Sequence, residues 1–305
     1  MSEPIDERTP AQTEKEILLS NLLASMEDMD TSTPKILAML YGESGTGKTV
    51  LAIQLAKAIC PKDKKILYID YKEGYATLMN PRWAYLRPGV VRMRYKGYSQ
   101  IDTLALALNA AKTPPPFDNV GVVILDESSS MADQDLLLVT QVRAKKDPEK
   151  DPDEPKQPDM NAATQRGKRT LLALHGTPAH VIHVSHIRRD KDNLNIEVVS
   201  PAFMPKLSSK LREEMLLVGY VSANTREDSS GETVYVRSVR VHPTRRVIAK
   251  TRIDGLGEKI SFDELIEGVV EYIEGKRGEV DTNELVTEIL DNTDTDDSFV
   301  GIEVE

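Results

Sequence analysis

Residues Gly42 to Thr49 read GESGTGKT, a G-x-x-x-x-G-K-T run placed directly between the apolar stretch Ile36 to Tyr41 and the helical pattern Val50 to Ile59. A strand, a glycine-rich turn and a helix in that order commit this part of the chain to a parallel α/β layer and to holding an anion. Gly42, Gly45 and Gly47 let the backbone curl so that successive N–H groups point inward, and the N-terminal end of the following helix adds its partial positive charge. Glu43, Ser44 and Thr46 complete the loop, Lys48 is placed to reach the β- and γ-phosphates of a nucleotide, and Thr49 is placed to ligate Mg2+. The expected ligands are therefore ATP or GTP with Mg2+.

Composition limits what else the chain can be. With 305 residues, 40% hydrophobic and 29% charged, it reads as a globular chain with one main core plus tails. The longest apolar stretches, such as Val120 to Leu125, have strand length, and MSEPIDERTP lacks the basic start and apolar core of a secretion signal. No membrane partner is expected. The single Cys60 fits a reducing cytoplasm. Net charge is −10, but residues 278–305 hold ten acidic residues and no basic ones, so the rest of the chain is balanced at 39 of each sign. That tail reads as a flexible extension, with a DNA mimic or partner-docking segment as its functional alternative.

Periodicity and punctuation divide the chain into an N-terminal arm (1–34), a main domain (35–277) and the acidic tail (278–305). In the arm, Glu14 to Met29 carries Ile17, Leu18, Leu22, Leu23 and Met26 at helical spacing, an element for packing on its own core or on a neighbouring subunit. Strands are expected at Lys65 to Asp70, near Val90 to Tyr95 and at Val120 to Leu125, with a helix at Gln100 to Ala111. Strands alternating with helices imply a mostly parallel sheet. Arg143 to Met160 has four prolines, five basic and six acidic residues and no apolar periodicity, and is expected to be a mobile loop. The helix after it, Thr164 to Leu174, carries Arg166, Lys168 and Arg169.

The strand VGVVILDE delivers Asp126 and Glu127 at its C-terminal end, the edge at which open α/β sheets bind ligands. Asp126 is the candidate to hold Mg2+ opposite Thr49, and Glu127 the candidate to polarise an attacking water. Glu73, just beyond the strand ILYID, is an equal candidate for that base. Two strand candidates separate the two motifs in sequence, so at least one extra strand is expected between them in the sheet. His180, His183 and His186 have a spacing that would converge on a helix, but on a strand His183 faces away from the other two, which argues against zinc.

The order GESGTGKT, ILYIDYKEG, VVILDESSS, HVIHVSHIR and VIAKTRIDG resembles the RecA-like recombination ATPases over about residues 35–262, most of all the short RecA-like proteins that phages use for single-strand annealing. The resemblance implies a RecA-like P-loop core with antiparallel C-terminal strands, ATP hydrolysis and a homo-oligomer, ring or filament, with ATP bound between subunits. His186 falls at the family's γ-phosphate-sensing position, where RecA has a glutamine, and the loop after it, IRRDKDN, falls at a DNA-binding loop. Arg188, Arg189 and Lys191, with Lys206 and Lys210 further on, are then the candidate contacts to the single-stranded DNA backbone. Lys250 and Arg252 match a cation pair that in RecA and RadA-type ATPases crosses to a neighbour's γ-phosphate. The implied function is a DNA-stimulated ATPase that anneals or recombines DNA in a bacterial host's cytoplasm, with the acidic tail available to a single-strand-binding or other replication protein. A phosphotransferase acting on a small molecule, with the Pro-rich segment as a lid, and a nucleotide-gated scaffold that does not hydrolyse remain as alternatives.

Overall fold

A computed structural model of the protein describes residues 33–278 apart from 111–112, 148, 150, 204 and 228–232. The expected N-terminal helix and nearly all of the acidic tail lie outside the described residues. The chain forms strands β1 (Leu37–Gly42), β2 (Lys65–Asp70), β3 (Val90–Arg94), β4 (Val120–Asp126), β5 (His180–Ser185), β6 (Ile187–Lys191), β7 (Glu197–Pro201), β8 (Leu217–Glu227), β9 (Thr233–Arg240), β10 (Lys250–Thr251) and β11 (Lys259–Ile260). Its main helices are α1 (Lys48–Ile59), α2 (Tyr98–Leu108), α3 (Ser128–Ala144), α4 (Gln157–His175), α5 (Pro205–Glu214) and α6 (Phe262–Ile273).

Among the described residues nine strands make one sheet in the order β11-β9-β8-β1-β5-β4-β2-β3, with β10 added beside β8. From β8 through β3 every pairing is parallel, whereas β9, β10 and β11 pair antiparallel, so the architecture is the mostly parallel α/β sheet with antiparallel C-terminal strands. Both faces of β1, β2, β4 and β5 are buried, which is why those strands read as near-continuous apolar runs. Alternation decides which side chain serves which face. Ala38, Leu40, Tyr68, Ile124 and Val184 join the core under α1 and α6. Met39, Tyr41, Ile69, Val123 and Val181 join the core under α2, α3, α4 and α5.

One strand does stand between β1 and β4, but it is β5, not either of the two that intervene in sequence. β2 and β3 lie beyond β4, because β2 pairs with β4 on one side and β3 on the other. The consequence is an edge at which Gly42, Ser185, Asp126 and Asp70 end four adjacent strands.

Several expected boundaries move. The expected loop at 143–160 is shorter, because α3 runs to Ala144 and α4 starts at Gln157, with Asp159 accepting from the Lys156 N–H and pairing with Arg143 at 3.2 Å. The segment after His186 is not an open loop; β6 and β7 form an antiparallel hairpin. The helix expected at Gln100 to Ala111 spans Tyr98–Leu108.

The histidines of β5 are built into the fold. His180 Nδ1 accepts from the Ile36 N–H at 3.0 Å, and His183, fully buried, lies 2.9 Å from His175 Nε2 and 3.2 Å from Ser128 Oγ. Burial lowers the pKa of both, with the Lys35 charge adding to the effect at His180, which falls to about 4, and that of His175 at His183. A histidine whose pKa is depressed on folding binds its proton more readily unfolded, so stability is full above about pH 6.5 and declines as pH falls toward about 4. At pH 5 His180 alone should cost on the order of 2 kcal/mol. Urea midpoints at pH 7.5 and 5 should show that loss in the wild type and a smaller one in His180→Gln; equal losses would contradict it.

Candidate nucleotide site

The loop between β1 and α1 is shaped by its glycines. Gly42 passes so close to β8 that a Cβ there would sit 2.2 Å from the Val221 carbonyl oxygen. Gly45 and Gly47 have φ of 78° and 95°, the left-handed region open to glycine. Gly47 occupies the N-cap of α1 with no side-chain cap and no acidic residue in the first turn. The first N–H groups of α1 are therefore left for an anion.

Lys48 folds back on this loop, its Nζ donating to the carbonyls of Gly42 at 2.9 Å and Glu43 at 2.7 Å. Burial lowers its pKa, while Asp126, Glu127 and Glu43 pull the other way. Thr49 Oγ1 donates to Asp126 Oδ2 at 2.8 Å, and Tyr68 from β2 donates to the same oxygen at 2.5 Å. Asp126 is 2% exposed, and burial raises its pKa against those two hydrogen bonds. Thr49 and Asp126 are hard oxygen ligands on facing elements at the cavity wall, which suits Mg2+ shared with phosphate oxygens. Asp70 in the adjacent register is held by Arg92, at 2.6 Å, and by the Gly74 N–H, at 2.9 Å.

Glu127 Oε1 is 2.5 Å from His186 Nε2, and Glu127 Oε2 is 3.2 Å from Ser130 Oγ and 3.8 Å from Lys72. The His186 N–H donates to Ser129 Oγ at 3.2 Å. These residues surround a cavity of about 240 Å³ lined by Lys48, Thr49, Asp126, Glu127, His186 and Arg237 among others, with Trp83 and Thr77 also in its wall. Glu73 stands apart: its side chain is 66% exposed, pairs with Arg94 at 3.6 Å and does not line the cavity.

The remaining sequence candidates lie outside this cavity. Lys250 and Arg252 donate to the carbonyls at the C-terminal end of α5, Lys250 to Arg212 and Glu213 and Arg252 to Glu213. They do not share a strand, since β10 is only Lys250–Thr251. Burial and the Arg252 charge lower the Lys250 pKa to about 8. On the β6–β7 hairpin Arg188 pairs with Asp190, and Arg189 bridges Glu197 and Glu43 of the phosphate loop, each at 2.6 Å. Lys191 is exposed at the end of β6, Lys206 is exposed on α5, and Lys210 pairs with Glu213 and Glu214. Arg166 and Arg169 turn toward Asp135 and Asp102 of their own fold.

Sequence reading missed Arg237 and Tyr68. Arg237 shares strand parity with buried Val239, so an arginine on a core-facing register was the available signal. Tyr68 gave none, since a tyrosine in an apolar strand reads as core.

A family model described as an AAA domain, the domain of AAA-type P-loop ATPases, matches residues 35–253. No curated protein matches the chain.

Tyr68→Phe removes one of the two hydroxyls that satisfy a buried carboxylate, and should cost about 1–3 kcal/mol. Urea unfolding at pH 7.5 measures it; a loss below about 0.5 kcal/mol would mean that the Tyr68–Asp126 bond is not formed in solution.

Proposed function

This chain belongs to the AAA-domain family of P-loop ATPases, and on that premise we propose that it hydrolyses ATP to switch its hold on single-stranded DNA. The observation that carries the reading is the Glu127–His186 contact, because it joins the end of the carboxylate strand to the residue that opens the β6–β7 hairpin.

Lys48 leaves its two loop carbonyls to meet the β- and γ-phosphates. Thr49 and Asp126 would hold the Mg2+ that neutralises charge on those phosphates. Glu127 lines the cavity and Glu73 does not, so Glu127 is the base that takes a proton from the attacking water. His186 orients that carboxylate through its Nε2–H. When the carboxylate shifts with the state of the γ-phosphate, His186 shifts with it and moves Ile187, where the hairpin begins.

The hairpin supplies Arg188, Arg189 and Lys191 to the DNA backbone. Arg189 meanwhile holds Glu43 in an ion pair about half exposed at both ends. Such a pair is worth roughly 0–1 kcal/mol and exchanges easily for a DNA phosphate. Lys250 and Arg252 do not reach their own chain's cavity, and we assign them to a neighbour's γ-phosphate in a homo-oligomer.

ATP turnover with and without single-stranded DNA tests the proposal. Wild type should turn over faster with DNA, Lys48→Ala should neither bind nor hydrolyse, and Glu127→Gln should bind normally while losing about 100-fold or more in kcat. Arg252→Ala should lose the stimulation. A rate indifferent to DNA would remove the DNA reading, and an acceptor-dependent rate would favour a phosphotransferase. Stimulation that survives Arg252→Ala would remove the trans role.

A further inference from the structure

Arg237 stands in the wall of the nucleotide cavity, and nothing in the hydrolytic reading uses it. It reaches there from β9, one of the antiparallel strands, whereas the phosphate loop, Asp126, Glu127 and His186 lie at the ends of the parallel strands β1, β4 and β5. Its side chain lies across the end of the phosphate loop. A methyl group on Gly47 would sit 3.1 Å from both Cδ and Nε of Arg237 and 3.5 Å from the ring of Phe262, the first residue of α6. The smallness of Gly47 thus serves two ends: the left-handed turn and the approach of this arginine.

The Arg237 Nε is buried and has no hydrogen-bond partner among the described residues. Among the described residues no carboxylate pairs with its guanidinium. Other arginines around this edge differ: Arg92, Arg94, Arg189 and Arg240 each hold a carboxylate. A partly buried cation without a counter-charge is costly, and a planar guanidinium fork is suited to phosphate oxygens.

We propose that Arg237 binds the diphosphate part of the nucleotide in cis, closing over the loop from the side opposite the Asp126 and Glu127 carboxylates. The position decides which phosphates it takes. Gly47 caps α1, where the free N–H groups cradle the α- and β-phosphates, so the contact is common to ADP and ATP. Arg237 therefore sets nucleotide affinity, while the γ-phosphate is left to Lys48 and the trans cations. This inference rests on the reading that the cavity binds nucleotide.

Fluorescent ADP and ATP titrated with Mg2+ onto the full chain test it, using wild type, Arg237→Ala and Arg237→Lys, with Arg237→Gln in place of the alanine variant if that one is unstable. Removing the guanidinium should weaken ADP and ATP alike by about 10- to 100-fold, with partial recovery in the lysine variant. KM should rise by a similar factor while kcat stays within about threefold. The melting temperature without nucleotide should hold or rise, since a partly buried cation without a counter-charge has been removed. Affinities unchanged within about twofold, or a loss confined to ATP, would overturn the assignment while leaving the nucleotide reading intact. Failure of the wild type to bind either nucleotide would overturn that reading itself.

Discussion

A carboxylate almost sealed from water governs this structure. Asp126 ends a buried apolar strand, and ionising it there is unfavourable unless its oxygens are satisfied. The fold answers with two hydroxyls on one oxygen, Thr49 from α1 and Tyr68 from β2. That triangle ties the phosphate loop, the neighbouring strand and the carboxylate strand together at one edge of the sheet. It also brings Thr49 and Asp126 into direct contact at the cavity wall, where their oxygens would take a small hard cation shared with phosphate.

Everything else at the site follows from the strand order. With β5 between β1 and β4, its exit lies beside both the loop and the carboxylates, so His186 meets Glu127 with no adapting segment. The chain then turns at once into the β6–β7 hairpin, whose Arg189 reaches back to Glu43 of the phosphate loop. Nucleotide chemistry and the hairpin are therefore linked twice, through a histidine at the root and an ion pair along the strand. The antiparallel strands contribute from the other side, bringing Arg237 over Gly47 and placing Lys250 and Arg252 on the end of α5.

What the sequence made legible was local. Lys65 to Asp70 is a strand as expected, and the glycine spacing of residues 42–47 has the left-handed φ values that its motif requires. Asp126 and Glu127 could be placed because an apolar run ending in acids has only one edge at which to deliver them. The neighbours of β4 could not be placed, since pairing with β5 joins segments more than 50 residues apart and no local pattern records it. Glu73 and Glu127 looked alike in sequence; the first stands exposed beside Arg94, and His186 holds the second at the cavity. Arg189 and Lys210 read as free cations because their carboxylate partners come from the opposite strand, the phosphate loop or the next helical turn, whereas the partner of Arg188, Asp190, lies two residues on in the same strand.

In the proposed function, Thr49 and Asp126 together hold the metal of a metal–nucleotide complex. Electron paramagnetic resonance of Mn2+ with ATP and the full chain reads this most directly. Protein-bound Mn2+ should be coupled to phosphate phosphorus, with that signal lost in both Thr49→Val and Asp126→Asn while nucleotide still binds weakly. Bound Mn2+ of undiminished intensity in the two variants would contradict it.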